Sequence, residues 1–277
     1  MRIDAHHHLW HYSAEEYDWI DDGMGAIRRD FLPADLENTL KPLAIDGVVT
    51  VQARQTMRET RWLLGLSQKH TIIKGVVGWV PLAGPTIGEM LDELTQNRTL
   101  KGVRHVVQGE PDPAFLEGKE FNAGVREVTT RGLVYDLLVS ARQLAATINF
   151  VDRHPCQVFV LDHIAKPVVQ GAPSTIWQRQ ISELARRPNV SCKFSGVVTE
   201  VPGWQWSQEL IQPYFDVVLE AFGPRRLMFG SDWPVCLVAA EYAAWLSCVE
   251  QCATALSESE RGRLFGGTAA DVYRLNP

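Results

Sequence analysis

The stretch Ile3-Asp4-Ala5-His6-His7-His8-Leu9-Trp10 sets three imidazoles in a row near the N-terminus. Purification tags carry longer histidine runs in polar context. Here the run is entered from Arg2-Ile3 and left through Leu9-Trp10, which reads as a strand passing into a loop. Side chains alternate along a strand, so His6 and His8 are expected on one face with Asp4, and His7 on the other. Two imidazoles about 7 Å apart on one face can converge on one ion or one oxygen. Hydrogen-bonded structural histidines are the alternative, and the pair alone does not separate the two.

Other polar residues that can do chemistry recur at a common place, the ends of short apolar runs. The runs predict strands at Arg2–His6, Gly47–Gln52, Lys74–Trp79, Leu100–Val106, Leu133–Val139, Gln157–Asp162, Val190–Phe194 and Arg226–Gly230. At or just beyond their ends stand His6 and His8; Gln52 and Arg54; Trp79; Arg104 and His105; Asp162 and His163; Lys193 and Ser195; and Asp232. Amphipathic stretches lie between the strands, among them 59–66, 87–94, 174–187 and 210–222. Eight such alternations predict an α/β fold, a (β/α)₈ TIM barrel, in which catalytic groups gather at the C-terminal ends of the strands. An open doubly wound sheet is the alternative, but no Gly-rich phosphate loop follows any of the strands.

The bulk composition bounds the function. A chain of 277 residues that is 45% hydrophobic can bury one large core, and no linker or repeat divides it, so residues 1–277 are expected to form one domain. The net charge of −6 and the lack of a basic stripe argue against nucleic acid. No apolar run is long enough to span a membrane, and no signal pattern opens the chain. Five cysteines, with no CxxC pair, are expected to be buried reduced thiols of a cytoplasmic protein; Cys248 and Cys252 fall i, i+4 on a predicted helix.

With these residues placed, the segments IDAHHHLW, VLDHIAKP (160–167) and MFGSDWPV (228–235) resemble the amidohydrolase superfamily, and within it the L-fuconolactonase-like and L-rhamnonolactonase-like sugar-lactone hydrolases. The intermediate segments VVTVQAR, GVVGWVPL, LKGVRH and CKFSGVVTE are similar to that branch too, so the resemblance spans the chain. It implies a metal-ligand and catalytic set of His6, His8, His163 and Asp232, which suits one Zn²⁺ with an open position. Two-metal members add a bridging carboxylated lysine or glutamate near the end of strand 4. Here that strand ends in Arg104-His105, with Lys101 at its start, so the expectation is one dispensable zinc or none. The implied activity is hydrolysis of a sugar lactone to its aldonic acid in carbohydrate catabolism, with Asp232 as general base and the imidazoles polarising the carbonyl.

The substrate is expected to be a neutral sugar lactone contacted by Gln52, Arg54, Trp79, Arg104, His105 and Trp233. Arg54 and Lys193 could instead serve structural ion pairs. A pyrone dicarboxylate would call for several arginine forks, and a zinc-dependent decarboxylase for arginines aimed at the leaving carboxylate. The scarcity of arginine disfavours both, and the intact Asp232 beside the intact His6/His8 pair disfavours a barrel that only binds metal or sugar. The long segment Trp10–Leu32, with Tyr12, Tyr17, Trp19 and Phe31, reads either as a pocket wall covering a sugar ring or as a satellite cluster closing the barrel.

Overall fold

The structure is a computed structural model that describes residues 1–276. Eight strands form one parallel sheet in sequence order: β1 (Ile3–His7), β2 (Gly47–Val51), β3 (Ile73–Gly78), β4 (Leu100–His105), β5 (Val134–Leu137), β6 (Phe159–Leu161), β7 (Val190–Phe194) and β8 (Leu227–Phe229). Six of them, β1, β2 and β5 to β8, are buried along their whole length, which suits a sheet covered on both faces. The last strand returns to the first through two backbone bonds, Asp232 N to His6 O (2.8 Å) and His8 N to Trp233 O (2.7 Å). These bonds draw the sheet into a nearly closed barrel at the level of the candidate site. The expected TIM barrel is the fold observed, and the strand boundaries match the expected ones to within two residues, with β7 matching at both ends.

The main helices are α1 (Pro33–Leu40), α2 (Met57–Ser67), α3 (Ile87–Leu94), α4 (Lys119–Thr130), α5 (Leu144–Asp152), α6 (Thr175–Ala185), α7 (Gln208–Phe222) and α8 (Tyr242–Cys252). Their N-termini are set by local chemistry. Thr56 caps α2 by accepting from Glu59 N (3.2 Å), and Ser174 and Ser207 cap α6 and α7 in the same way. Two short helices, α9 (Glu258–Gly262) and α10 (Thr268–Val272), follow. Among the described residues no helix is long and apolar enough to cross a membrane.

The core has two parts. A large cluster fills the space between sheet and helices, and a smaller one inside the barrel includes Ile3, Ala5, Val49, Val51, Val77, Val160 and Met228. Ala269, Tyr273 and Leu275 join the inner cluster from the N-terminal end of the strands, so the C-terminal segment plugs the barrel floor. Above this apolar layer the barrel interior turns polar.

Two expectations are corrected at this level, and the segment left open between two readings is placed. The pairing register of β1 shifts between Asp4 and His7, which breaks strict alternation. Asp4 therefore turns away from His6 and His8, accepting from Ser231 Oγ (2.6 Å) and from Tyr242 OH on α8 (3.1 Å). Burial lifts its carboxyl to about 6. Of the cysteines, Cys192, Cys236, Cys248 and Cys252 are buried, but Cys156 lies exposed in the turn before β6. In the segment Trp10–Leu32, Trp10 and Phe31 exchange backbone bonds at 2.9 Å and pack with Tyr17 and Trp233 as part of the large core cluster. Of its expected aromatics, Trp19 alone lines the cavity described next.

Candidate active site

At the C-terminal ends of the strands lies a cavity of about 590 Å³. His8, Arg54, Arg104, His163 and Asp232 line it, with Glu16, Lys166, Glu200 and Trp204 from the surrounding loops. His6 is fully buried immediately behind. Asp232 sits at φ +58°, a left-handed turn after β8, and its Oδ1 lies 3.3 Å from His8 Nε2 and 3.7 Å from His6 Nε2. Left-handed backbone is sparsely populated by non-glycine residues and concentrates at functional sites. The segment His163–Lys166 holds four consecutive positive φ values, a turn that costs about 1–2 kcal/mol per residue. Burial of Ile164 and Ala165, and a bond from Trp177 Nε1 to Ile164 O (3.0 Å), hold it in place.

A network of buried charges underlies the cavity. Asp162 accepts from Arg104 Nη1 (2.9 Å) and pairs with Lys193 Nζ (3.0 Å) and His6 Nδ1 (3.3 Å). Lys193 also donates to Asp136 (2.5 Å), which accepts in turn from Tyr273 OH (2.8 Å) on the barrel floor. Burial acts against the Asp162 charge, but Lys193, His6 and Arg104 outweigh it and hold the carboxyl well below its ordinary value. Burial lowers His6 well below 6.5 and His163 to about 4. For Asp232 burial again acts upward, and the imidazoles of His163, His8 and His6 reverse it, leaving the carboxyl below the usual carboxylate range. The site at neutral pH therefore presents an ionised Asp232 beside neutral His6 and His163.

The imidazole orientations bear on whether a metal fits. His8 Nδ1 donates to Val51 O (2.8 Å), which leaves Nε2 as the ring atom facing the Asp232 carboxylate. Two lone-pair groups at that distance call for a proton or a cation between them. His6 is similar: Nδ1 faces Asp162, and Nε2 faces the cavity side, where Arg104 Nη1 approaches to 3.2 Å. His6, His8 and Asp232 thus converge as an N, N, O donor set whose imidazoles are oriented by outer partners, as zinc sites require. These residues fit a metal. His163, expected as a fourth ligand, falls in a second group with His6 and Asp162 and bonds Ser195 Oγ through Nδ1 (3.0 Å).

Four expected substrate contacts are placed elsewhere. Gln52 is buried beneath Arg104, accepting from its Nη2 at the main chain and donating from its amide to Arg104 O (3.3 Å), so it braces the arginine. His105, next along β4 from the inward Arg104, falls on the outer face by alternation. There it stacks on Phe115, bonds Glu110 (2.6 Å) and takes Trp79 Nε1 as a partner (3.3 Å). Trp233 is buried edge-on against Phe31. None of the four lines the cavity. Glu16, Lys166 and Glu200 do, and sequence reasoning missed them. Their only signal is a position in loops that follow strands.

Gly196, at φ +64°, completes the floor. A Cβ there would stand 2.6 Å from His163 Nδ1 and 2.9 Å from Asp232 Oδ2. We expect Gly196→Ala to push His163 off Ser195 and to lower kcat/KM by roughly 10²-fold, the cost of about 1 Å of misplacement. Backbone strain should remove about 1–2 kcal/mol of stability in a urea melt. Wild-type kcat/KM in a folded variant would show that the floor geometry is not needed.

Comparison with known proteins agrees with this architecture. The chain is 42% identical over 289 residues to an L-fucono-1,5-lactonase of Burkholderia multivorans, covering 99% of this chain and 96% of that protein. It is 36% identical over 280 residues to an L-fucono-1,5-lactonase of Burkholderia ambifaria, covering 100% and 96%. A crystal structure of an amidohydrolase from Burkholderia multivorans with bound zinc superposes with a TM-score of 0.96 at 42% identity over the whole of both chains. The family model described as amidohydrolase matches residues 3–275. With the barrel, the convergent His6, His8 and Asp232 and this full-length match in hand, the chain belongs to the amidohydrolase family.

Proposed function

We propose that this protein hydrolyses neutral sugar lactones, L-fucono-1,5-lactone and closely related rings, to the aldonic acid. The observation that carries the reading is the Asp232 carboxyl group, 3.3 Å from His8 Nε2 and 3.7 Å from His6 Nε2, lining the cavity beside His163 and Arg104. Water placed against Asp232 loses a proton to the carboxylate as its oxygen bonds to the lactone carbonyl carbon. The carbonyl oxygen takes the negative charge and is stabilised by Arg104 and by His163, whose bond to Ser195 leaves Nε2 for the substrate. When the tetrahedral centre collapses, the ring C–O bond breaks and Asp232 returns its proton to the departing alkoxide. The product is an open-chain hydroxy acid, which ionises. His6, His8 and Asp232 would hold a zinc ion, which when bound supplies Lewis-acid polarisation. We place the protein in carbohydrate catabolism in the cytoplasm, where the buried thiols stay reduced.

Decarboxylation and pyrone-dicarboxylate hydrolysis fit less well. Arg104 spends Nη1 on Asp162 and His6 and Nη2 on Gln52 O, so it offers no free fork to a carboxylate.

The test is a pH-stat assay across neutral five- and six-membered sugar lactones, with a pyrone dicarboxylate alongside. Turnover of the neutral rings should dominate. The pH dependence of kcat/KM reports groups of the free enzyme. Asp232, the group that must be ionised, is held below the usual carboxylate range, and His163 can donate in either protonation state, so activity should stay level from the weakly acidic range to neutrality. An acid limb near 6.5, or preference for the dicarboxylate, contradicts this reading.

A further inference from the structure

Every cation that lines the cavity is already matched by a carboxylate of the same chain. Arg54 pairs with Glu16 at 2.7 Å, Lys166 with Glu200 at 2.6 Å, and Arg104 with the buried Asp162 at 2.9 Å. Glu16 is doubly engaged, since Arg58 holds its other oxygen. Its arm of the pair comes from the long segment after β1, whereas Glu200 comes from the loop after β7, so the two acids are supplied by different loops. With Asp18, the loops bring three carboxylates to the cavity against two cations, Arg54 and Lys166, while Arg104 is balanced by Asp162.

This arrangement suits a ring without charge and opposes a ligand that carries a carboxylate. An unpaired arginine or lysine in a cavity binds a carboxylate through charge-assisted hydrogen bonds, bidentate for arginine. Occupying those donors with fixed acids removes that site, and the surplus negative charge repels an incoming anion. Lactone opening converts a neutral ring into an aldonate, so the same acids that admit the substrate work against retention of the product. We infer that Glu16 and Glu200 are specificity-determining residues: they mask Arg54 and Lys166, exclude anionic lactones and speed release of the aldonate. The inference rests on the lactonase reading above for the identity of the product.

The experiment measures L-fuconate as a ligand, by competitive inhibition and by titration calorimetry, in wild type and in Glu16→Gln, Glu200→Gln and Arg54→Gln. Glu16→Gln and Arg54→Gln break the same ion pair but change the cavity charge in opposite directions. A purely structural role would move both variants alike. Masking predicts that L-fuconate binds about two- to fivefold tighter in Glu16→Gln and in Glu200→Gln, and weaker in Arg54→Gln, the scale of an ion pair in contact with solvent. KM for the neutral lactone should move less than the aldonate Ki. Salt gives a second sign: raising ionic strength should tighten L-fuconate binding to wild type, by screening a repulsion, and loosen it in Glu16→Gln. Equal shifts in Glu16→Gln and Arg54→Gln, an unchanged ratio of Ki to KM, or no binding of L-fuconate to any variant overturns the inference. Shifts in the expected directions without lactone turnover by wild type would support the masking and remove the lactonase reading instead.

Discussion

Asp232→Asn lowers kcat by about 10²–10⁴, the usual worth of a general base, with little change in substrate binding. The fold should tolerate the change. Asn is among the few side chains that accept left-handed backbone, and Asp232 sits at φ +58°. The bonds that set this turn are main-chain ones, Asp232 N to His6 O and Cys236 N to Asp232 O, and they persist. The new amide can donate to His8 Nε2, so no buried lone pair is stranded. What disappears is the proton acceptor. Progress curves on a neutral lactone measure the loss, and a melting curve checks the fold. Repeating the wild-type assay after chelation, with Zn²⁺ added back, separates carbonyl polarisation by the side chains from polarisation by a bound ion. A folded Asp232→Asn enzyme with near wild-type kcat would sink the mechanism.

Lys193→Met is expected to be the most damaging single change to stability. Lys193 is wholly buried and is the shared partner of Asp136 and Asp162, at 2.5 and 3.0 Å. Removing one member of a buried ion pair strands the opposite charge and costs about 3–5 kcal/mol. For a chain near this size each kcal/mol is worth about 2–4 °C in Tm, so thermal scans should fall by roughly 10 °C. The effect should be strongly non-additive with Asp136→Asn, because the second change removes a stranded charge while its amide still accepts from Tyr273 OH. The double variant should recover part of the loss, by about 1–3 kcal/mol of coupling. A single-variant loss under about 1 kcal/mol, or simple additivity, would mean that these charges are solvated in a way the barrel interior does not provide.

Much of the architecture was legible in the linear chain because it depends on local patterns. Eight apolar, β-branched runs alternating with amphipathic stretches specify strands and covering helices, and the parallel barrel follows from their number and spacing. In such a barrel the polar residues that end strands point to one mouth, which is why His6, His8, Arg104, His163 and Asp232 could be gathered before any coordinates. Arg54, read from the same rule, lines the cavity, but as a partner of Glu16.

What only the tertiary structure decided is which side chain faces which partner. The register shift in β1 turned Asp4 away from His6 and His8. Alternation along β4 sent His105, with Trp79, to the outer face, and Gln52 was drawn under Arg104. The pairs that hold the site, Arg104 with Asp162 and Lys193 with Asp136, lie 58 and 57 residues apart in the chain. Glu16 and Glu200 meet the cavity from loops with no periodic pattern to read. Hydrophobic periodicity reports how each residue relates to its own strand or helix. The closing of the sheet sets distances across the barrel, and those distances decide charge pairing, tautomer and the direction of each pKa shift.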